Sequence, residues 1–155
     1  MAEKIAERAL ACNRAPLHMI GVRTGGLWVA SALHRRLGLA SPLGELNIAF
    51  YRDDFSQLGL HPSVAPSNLP FDVEGAHILL VDDILYTGRT VKAALNEIFD
   101  YGRPASIMLA VLLDRGGREL PVAADITGVT ITLEPGEQAK LTAADELSLR
   151  LFQTA

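Results

Sequence analysis

Asp82 and Asp83, the hydroxyls of Thr87 and Thr90 and the intervening Gly88 fall in one run, His77-Ile-Leu-Leu-Val-Asp-Asp-Ile-Leu-Tyr-Thr-Gly-Arg-Thr90. Ionised carboxylates offer only acceptor oxygens, which suits them to vicinal sugar hydroxyls or, through water, to a metal ion. The threonine hydroxyls and the open N–H groups of a helix N-terminus are donors matched to a phosphate dianion, and Gly88 lets the backbone come close to it. A phosphate in the turn with a ribose over the acids describes a single ligand, a ribose 5-phosphate.

Competing readings explain less of the run. Neither the Gly-x-x-x-x-Gly-Lys-Ser/Thr spacing of a P-loop nor the Gly-x-Gly-x-x-Gly spacing of a dinucleotide fold occurs anywhere in the chain. Receiver domains also end an apolar strand on an acidic pair, but near the N-terminus and with no hydroxyl-glycine turn directly after it. A capped helix following a core strand, with acids favouring the helix N-terminus, accounts for one Asp but not for the whole string.

For acids and turn to face one ligand, a strand must end at the acids and a helix must begin after the turn. Residues 78–81 are a short continuous apolar run, as expected of a strand buried on both faces of a parallel sheet. Residues 91–101 carry helical apolar spacing. The same alternation continues along the chain: helix over 4–12, strand over 17–22, helix over 27–37, strand over 46–51, and a second apolar strand over 107–113. Such β-α-β order predicts a parallel sheet covered by helices, with ligands at the carboxyl ends of the strands. Residues 126–133 and 146–151 alternate at period two, which predicts short strands outside the main sheet.

At the end of the first strand, Gly21-Val-Arg-Thr-Gly-Gly26 is a tight turn whose glycines expose amides and whose Arg23 adds a fixed positive charge, a setting suited to pyrophosphate. Residues 52–75 form a stretch with Pro62, Pro66 and Pro70, longer than an ordinary connection of about four to six residues. Loops of that length near a site commonly act as lids.

The chain has 155 residues, 49% of them hydrophobic, enough for one domain with a single core. No stretch of about 18 apolar residues predicts a membrane span, and no basic-then-apolar N-terminus predicts a signal peptide, so a cytoplasmic protein is expected. The one cysteine, Cys12, has no intrachain partner, and His18, His34, His61 and His77 lack metal-ligand spacing. A formal net charge of -4 gives no overall attraction to a nucleic-acid backbone. Arg8, Arg14, Arg35 and Arg36, in or near the first two helices, could form a local basic patch. No RNA-contacting residue is assigned.

Val81-Asp-Asp-Ile-Leu-Tyr-Thr-Gly-Arg-Thr90 resembles the phosphoribosyl-pyrophosphate (PRPP) signature of type I phosphoribosyltransferases, and Tyr-Thr-Gly-Arg-Thr in particular resembles the PyrR family. Gly44-Glu-Leu-Asn-Ile-Ala-Phe-Tyr-Arg-Asp-Asp54, Asp100-Tyr-Gly-Arg-Pro104 and Leu109-Ala-Val-Leu-Leu-Asp-Arg-Gly-Gly-Arg-Glu-Leu-Pro121 follow in family order. The resemblance runs from about residue 18 to about residue 130.

It implies an α/β type I phosphoribosyltransferase fold, a mostly parallel sheet flanked by helices with a small C-terminal hood of short strands. A single domain would then comprise a core over about 16–124, a hood over about 125–155 and a lid over about 52–76. The implied activity is that of a uracil phosphoribosyltransferase, converting uracil and PRPP to UMP and pyrophosphate, with UMP-dependent binding of pyrimidine operon leader mRNA as a second role. The alternative is an RNA-binding attenuator that keeps the fold mainly as a nucleotide sensor, with little or no catalysis.

The resemblance further implies that Arg52, Asp82 and Asp83 carry catalysis and that Arg23, Thr24, Gly25 and Gly26 with Tyr86, Thr87, Gly88, Arg89 and Thr90 hold PRPP. Where relatives often read Lys-Thr-Arg-Gly, this chain has Arg23-Thr-Gly-Gly26, with glycine in place of the second cation. Asp114, Arg115, Ile126 and Thr127 are implied to bind the base, with Ile126 as an aliphatic face and the Thr127 backbone at the uracil edge. Mg²⁺ would arrive with PRPP and have no direct protein ligand, passing through water to Asp53, Asp54, Asp82 or Asp83. A homodimer or higher even oligomer is also implied.

Overall fold

In the computed structural model, which describes residues 1–48, 66–143 and 146–154, the run 78–81 is a strand sealed on both faces. It belongs to β3 (His77–Leu85), the middle of a five-stranded parallel sheet. The remaining elements are α1 (Ala2–Ala11), β1 (Leu17–Val22), α2 (Gly25–Leu37), β2 (Gly44–Leu46), α3 (Arg89–Tyr101), β4 (Ser106–Asp114), β5 (Ile126–Thr130), β6 (Glu137–Ala143) and β7 (Leu147–Gln153).

Strand periodicity explains the two-sided burial. Ile78 and Leu80 join Ile20, Val22, Leu109 and Val111 beneath α3, through Val91, Ala94 and Ile98. Leu79 and Val81 point the other way, joining Met19, Met108 and Ala110 beneath α1 and α2, through Ile5, Val29, Ala30 and Leu33. Each fully buried aliphatic side chain contributes about 1.5–3 kcal/mol. Gly21 lets α2 lie directly on β1, because a Cβ there would stand 2.8 Å from the Cα of Leu27.

Strand order is β2-β1-β3-β4-β5. The chain steps from β1 outward to β2, then returns across β1 to β3 and proceeds in the opposite direction. The reversal lies between β1 and β3, which are paired from Leu17↔His77 to Gly21↔Val81. In an open α/β sheet a crevice forms at that point, at the carboxyl ends of the strands.

Three sequence expectations change. The alternation over 126–133 predicts a strand outside the main sheet, yet β5 pairs in parallel with β4 from Ala110↔Ile126 to Asp114↔Thr130. As the sheet's edge, β5 buries Ile126 alone, and a strand covered at one position shows the same alternation as an isolated one. The strand expected over 46–51 is instead Gly44–Leu46. Beyond Leu46 the N–H of Asn47 turns from the ladder to Ser67 Oγ at 3.0 Å, and residues 49–51 lie outside the described residues.

The third change is β6, which no pattern announces. It becomes a strand through antiparallel pairing with β7, from Glu137↔Gln153 to Ala143↔Leu147, and this hairpin is the small separate sheet. Most of the expected lid lies outside the described residues. Its return arm is anchored where Asn68 and Glu45 exchange backbone hydrogen bonds at 2.8 Å each. Among the described residues no helix is long and apolar enough to cross a membrane.

Candidate active site

The crevice between β1 and β3 receives the two loops singled out in the sequence. Alternation along β3 carries Asp83 to the α2 side of the sheet, against the loop that follows β1. A Cβ built on Gly25 would stand 2.0 Å from Asp83 Oδ2, so the carboxylate occupies the space a side chain at position 25 would need. Gly26 is closed as well, with Val81 O at 2.8 Å and Asp82 Cα at 2.9 Å from a built Cβ. Glycine at both positions lets the loop and the N-terminus of α2 lie directly on the end of β3.

The two carboxylates differ in burial. Asp82 is only 2% exposed, and its Oδ1 accepts the N–H of Asp83 at 2.9 Å. Asp83 is half-buried at the cavity wall, and among the described residues its carboxylate accepts no hydrogen bond. Arg23 does not stand alone in its loop: its guanidinium pairs with Glu45, and its N–H donates to Leu46 O at 2.9 Å. The charge of the loop's cation is therefore matched by a carboxylate from β2.

The turn after β3 is arranged to present donors. Arg115 N–H donates to Leu85 O at 3.1 Å, Arg118 Nη1 to Tyr86 O at 2.9 Å, and the N–H groups of Glu119 and Leu120 to Thr87 O at 3.0 Å each. Three consecutive carbonyls thus turn outward to the segment after β4. Among the described residues the N–H groups of Thr87, Gly88 and Thr90 meet no acceptor, leaving them for a ligand. Gly88 adopts φ 92°, a left-handed conformation natural to glycine. Thr87 Oγ1 accepts the N–H of Arg89 at 3.2 Å, and a hydroxyl that accepts one bond can still donate its hydrogen to another. Arg89 itself pairs with Glu119 at 2.8 Å.

Two cavities flank the end of β3. One, of about 520 Å³, is bounded by Thr24, Gly25, Trp28, Asp83 and Ile84 on the sheet side and by Gln138, Lys140 and Phe152 of the hairpin. The other, of about 660 Å³, is lined by Tyr86, Asp114, Arg115, Arg118 and residues 130–137. Arg115 lies 4.0 Å over the Tyr86 ring, and among the described residues its buried Nε has no hydrogen-bond partner. Burial raises the Asp114 carboxyl, but the hydrogen bond from Arg118, that from the Gly116 N–H and the Arg118 charge outweigh it. The net effect is a value below the ordinary 3.8.

The structure thus brings Thr24, Gly25 and Asp83 to one cavity and Tyr86, Asp114 and Arg115 to the other. Ile126 and Thr127 line neither. The Ile126 side chain is buried in the core beneath α1 and α2, and Asp125 before it is engaged by Arg8 at 3.0 Å and by the N–H of Leu109 at 2.8 Å. Arg52, Asp53 and Asp54 lie outside the described residues.

Sequence reading missed Glu45, Trp28, Lys140 and Phe152, which reach the site from separate elements. No local signal in the sequence marks any of them. No group of three or more His, Cys, Asp or Glu side chains placed to hold a metal occurs among the described residues.

Comparison with known proteins agrees with this geometry. Residues 1–143 match the phosphoribosyl transferase domain family. Bifunctional protein PyrR of Nitrosococcus oceani is 60% identical over 86% of this chain and 76% of its own length. Bifunctional protein PyrR of Pseudomonas fluorescens is 54% identical over 97% and 88%. Among solved structures, a ternary substrates complex of a lysine-to-arginine mutant of Trypanosoma cruzi hypoxanthine phosphoribosyltransferase is 27% identical, covers 84% of this chain and 73% of that one, and has a TM-score of 0.66. A further structure of the Trypanosoma cruzi enzyme, 22% identical over 99% and 88% with a TM-score of 0.70, shares the fold. An acidic strand end facing a glycine loop across a parallel sheet, a donor-lined turn beside it and these matches together place the chain in the phosphoribosyltransferase family, among the PyrR proteins.

Proposed function

We propose that the chain transfers the phosphoribosyl group of PRPP to uracil, forming UMP and pyrophosphate. The observation that carries this reading is the contact of Asp83 with Gly25 at the β1–β3 crevice, beside a turn with three N–H groups open to a phosphate. The 5-phosphate occupies the Tyr86–Thr90 turn, the ribose hydroxyls face Asp83, and the pyrophosphate lies along Thr24 and Gly25.

In the reaction the C1′–oxygen bond to pyrophosphate breaks and a bond from uracil N1 to C1′ forms on the opposite face, with the N1 proton passing to water. Donors at the loop take up charge on the leaving group, and the Asp83 carboxylate lies close to the oxocarbenium-like centre. Positioning and electrostatics suffice, and no side-chain nucleophile is required. Water exclusion falls to the loop carrying Arg52.

Mg²⁺ suits this donor set. Magnesium usually keeps several waters and binds through one or two carboxylates plus substrate phosphates. A half-buried carboxylate at Asp83, on the wall of the cavity, is a ligand of that kind. When bound with PRPP, Mg²⁺ supplies Lewis-acid stabilisation of the pyrophosphate charge.

Uracil is placed in the larger cavity, where Arg115 and Asp114 offer a donor and an acceptor to its edge. Membership of a family of transferases favours this reading over a purely regulatory one. A second role in binding pyrimidine leader mRNA falls to Arg14, Arg35 and Arg36, since Arg8 is committed to Asp125.

The decisive assay offers PRPP and Mg²⁺ with uracil, orotate, hypoxanthine or guanine in parallel and follows nucleotide and pyrophosphate. UMP from uracil alone is expected. No product from any base, in protein that still binds UMP, would move the assignment to a nucleotide-sensing attenuator. Asp83→Asn is expected to lower kcat/KM by about 10²-fold or more, in the range seen for loss of one electrostatic stabiliser.

A further inference from the structure

The loop beneath the pyrophosphate is poor in positive charge. Arg23 is its one basic residue, and Glu45 pairs with it. Position 25 is closed to any side chain while Asp83 keeps its place, since even a Cβ would stand 2.0 Å from Oδ2. Counting Arg23, Glu45 and Asp83 as ionised, this side of the cavity is net acidic. Among the described residues, then, a multiply charged pyrophosphate placed against it gains no net protein cation from this side beyond the Mg²⁺ that arrives with PRPP, and a further cation must come from another element.

The opposite wall offers one. Lys140 of β6 lines the same cavity as Thr24, Gly25 and Asp83. Its cross-strand partner in the hairpin register is Arg150 of β7. Residues directly opposite in an antiparallel pair share a face, and like charges there are destabilising. The four ion pairs among the described residues include neither Lys140 nor Arg150. Two cations therefore stand side by side without a carboxylate partner among the described residues, in a protein whose formal net charge is -4. A sequence that breaks a local rule without compensation within the fold commonly does so at a functional site. An anion between hairpin and loop relieves the repulsion.

We propose that Lys140, with Arg150 beside it, supplies the cation for the pyrophosphate half of the site, so that this charge is delivered by the hairpin and not by the loop after β1. The proposal rests on reading the crevice as a PRPP site. Lys140 then contacts the β-phosphate side of PRPP and of product pyrophosphate, and leaves the nucleotide 5-phosphate to the Tyr86–Thr90 turn. Affinity for pyrophosphate and affinity for UMP become separable properties of two different elements.

The test uses the full chain as Lys140→Met, Lys140→Arg and the control Lys4→Met, which alters an exposed residue of α1. Binding of magnesium pyrophosphate and of UMP is measured by calorimetry, and KM for PRPP by the UMP assay. Lys140→Met is expected to weaken pyrophosphate and to raise KM for PRPP by about tenfold, the loss of one charge-assisted contact. Its UMP affinity should stay within about twofold of the parent, Lys140→Arg should recover most of the pyrophosphate loss, and Lys4→Met should change nothing.

Unchanged pyrophosphate affinity in Lys140→Met would overturn the proposal, as would a parallel loss of UMP, which would mean a disturbed hairpin and not a lost contact. Failure of the parent chain to bind pyrophosphate or to form UMP would instead remove the PRPP reading itself, an outcome visible before any variant is compared.

Discussion

Arg118 and Asp114 meet at 2.5 Å between Nη2 and Oδ2, and the same guanidinium donates to the carbonyls of Tyr86 and Val122 at 2.9 Å each. One side chain thereby ties the end of β4 to the turn proposed to hold the 5-phosphate. Arg118→Met would leave the Asp114 carboxylate with only the Gly116 N–H and would strip the guanidinium donor from two carbonyls, at a cost of about 1–3 kcal/mol. For a chain of this size that corresponds to a melting temperature lower by about 2–4 °C per kcal/mol. The functional effect should exceed the structural one: KM for PRPP rises and UMP binds more weakly at temperatures where the variant is fully folded. Thermal melts and UMP titration side by side check this, and equal UMP affinity would show that the turn holds its shape unaided.

Acid should act through the same pair. Because the folded Asp114 carboxyl lies below its ordinary 3.8, the unfolded chain takes up this proton before the folded one does. Its contribution to stability is complete above that ordinary value and is lost as pH falls through the lowered folded value. Asp114→Asn removes the term, so the difference in melting temperature between parent and variant should be largest near neutrality and should close under strongly acidic conditions. A difference that stays constant from neutral to strongly acidic pH would assign the pH dependence to other groups.

The candidate site residues that the sequence points to most directly share one property: their chemistry and their neighbours lie within a single run. Asp82 to Thr90 includes strand end, acids, glycine and hydroxyls together, so both the architecture and the ligand class follow from it. β1, β3 and β4 were readable because strands buried on both faces are continuous apolar runs. Pattern failed where burial was one-sided or supplied by a partner. β5 looks like an isolated strand because only Ile126 is covered, and Ile126 took a place in the core that left no face for a base. β6 exists through its pairing with β7, and Glu45 and Lys140 reach the cavity through tertiary placement that no local spacing encodes.

Gly25 and Gly26 are adjacent and chemically identical, yet alanine should affect them in opposite ways. At Gly25 the new Cβ meets the Asp83 side chain, with Oδ2 at 2.0 Å and Cγ at 2.5 Å. A carboxylate can rotate aside, and alanine is the better helix residue at the start of α2 by up to about 1 kcal/mol. Gly25→Ala should therefore fold at least as stably as the parent while displacing the acid proposed to face the ribose. A misplacement of that size is worth about a hundredfold in rate. At Gly26 the new Cβ meets main chain, Val81 O at 2.8 Å and Asp82 Cα at 2.9 Å, and neither can move without separating α2 from β3. Gly26→Ala should cost about 1–3 kcal/mol, as overpacking does. Urea unfolding and kcat/KM for PRPP measured on both variants should show activity lost with stability kept at position 25, and stability lost at position 26. If the two variants lose activity and stability in the same proportion, Asp83 is held by more than its contact with Gly25.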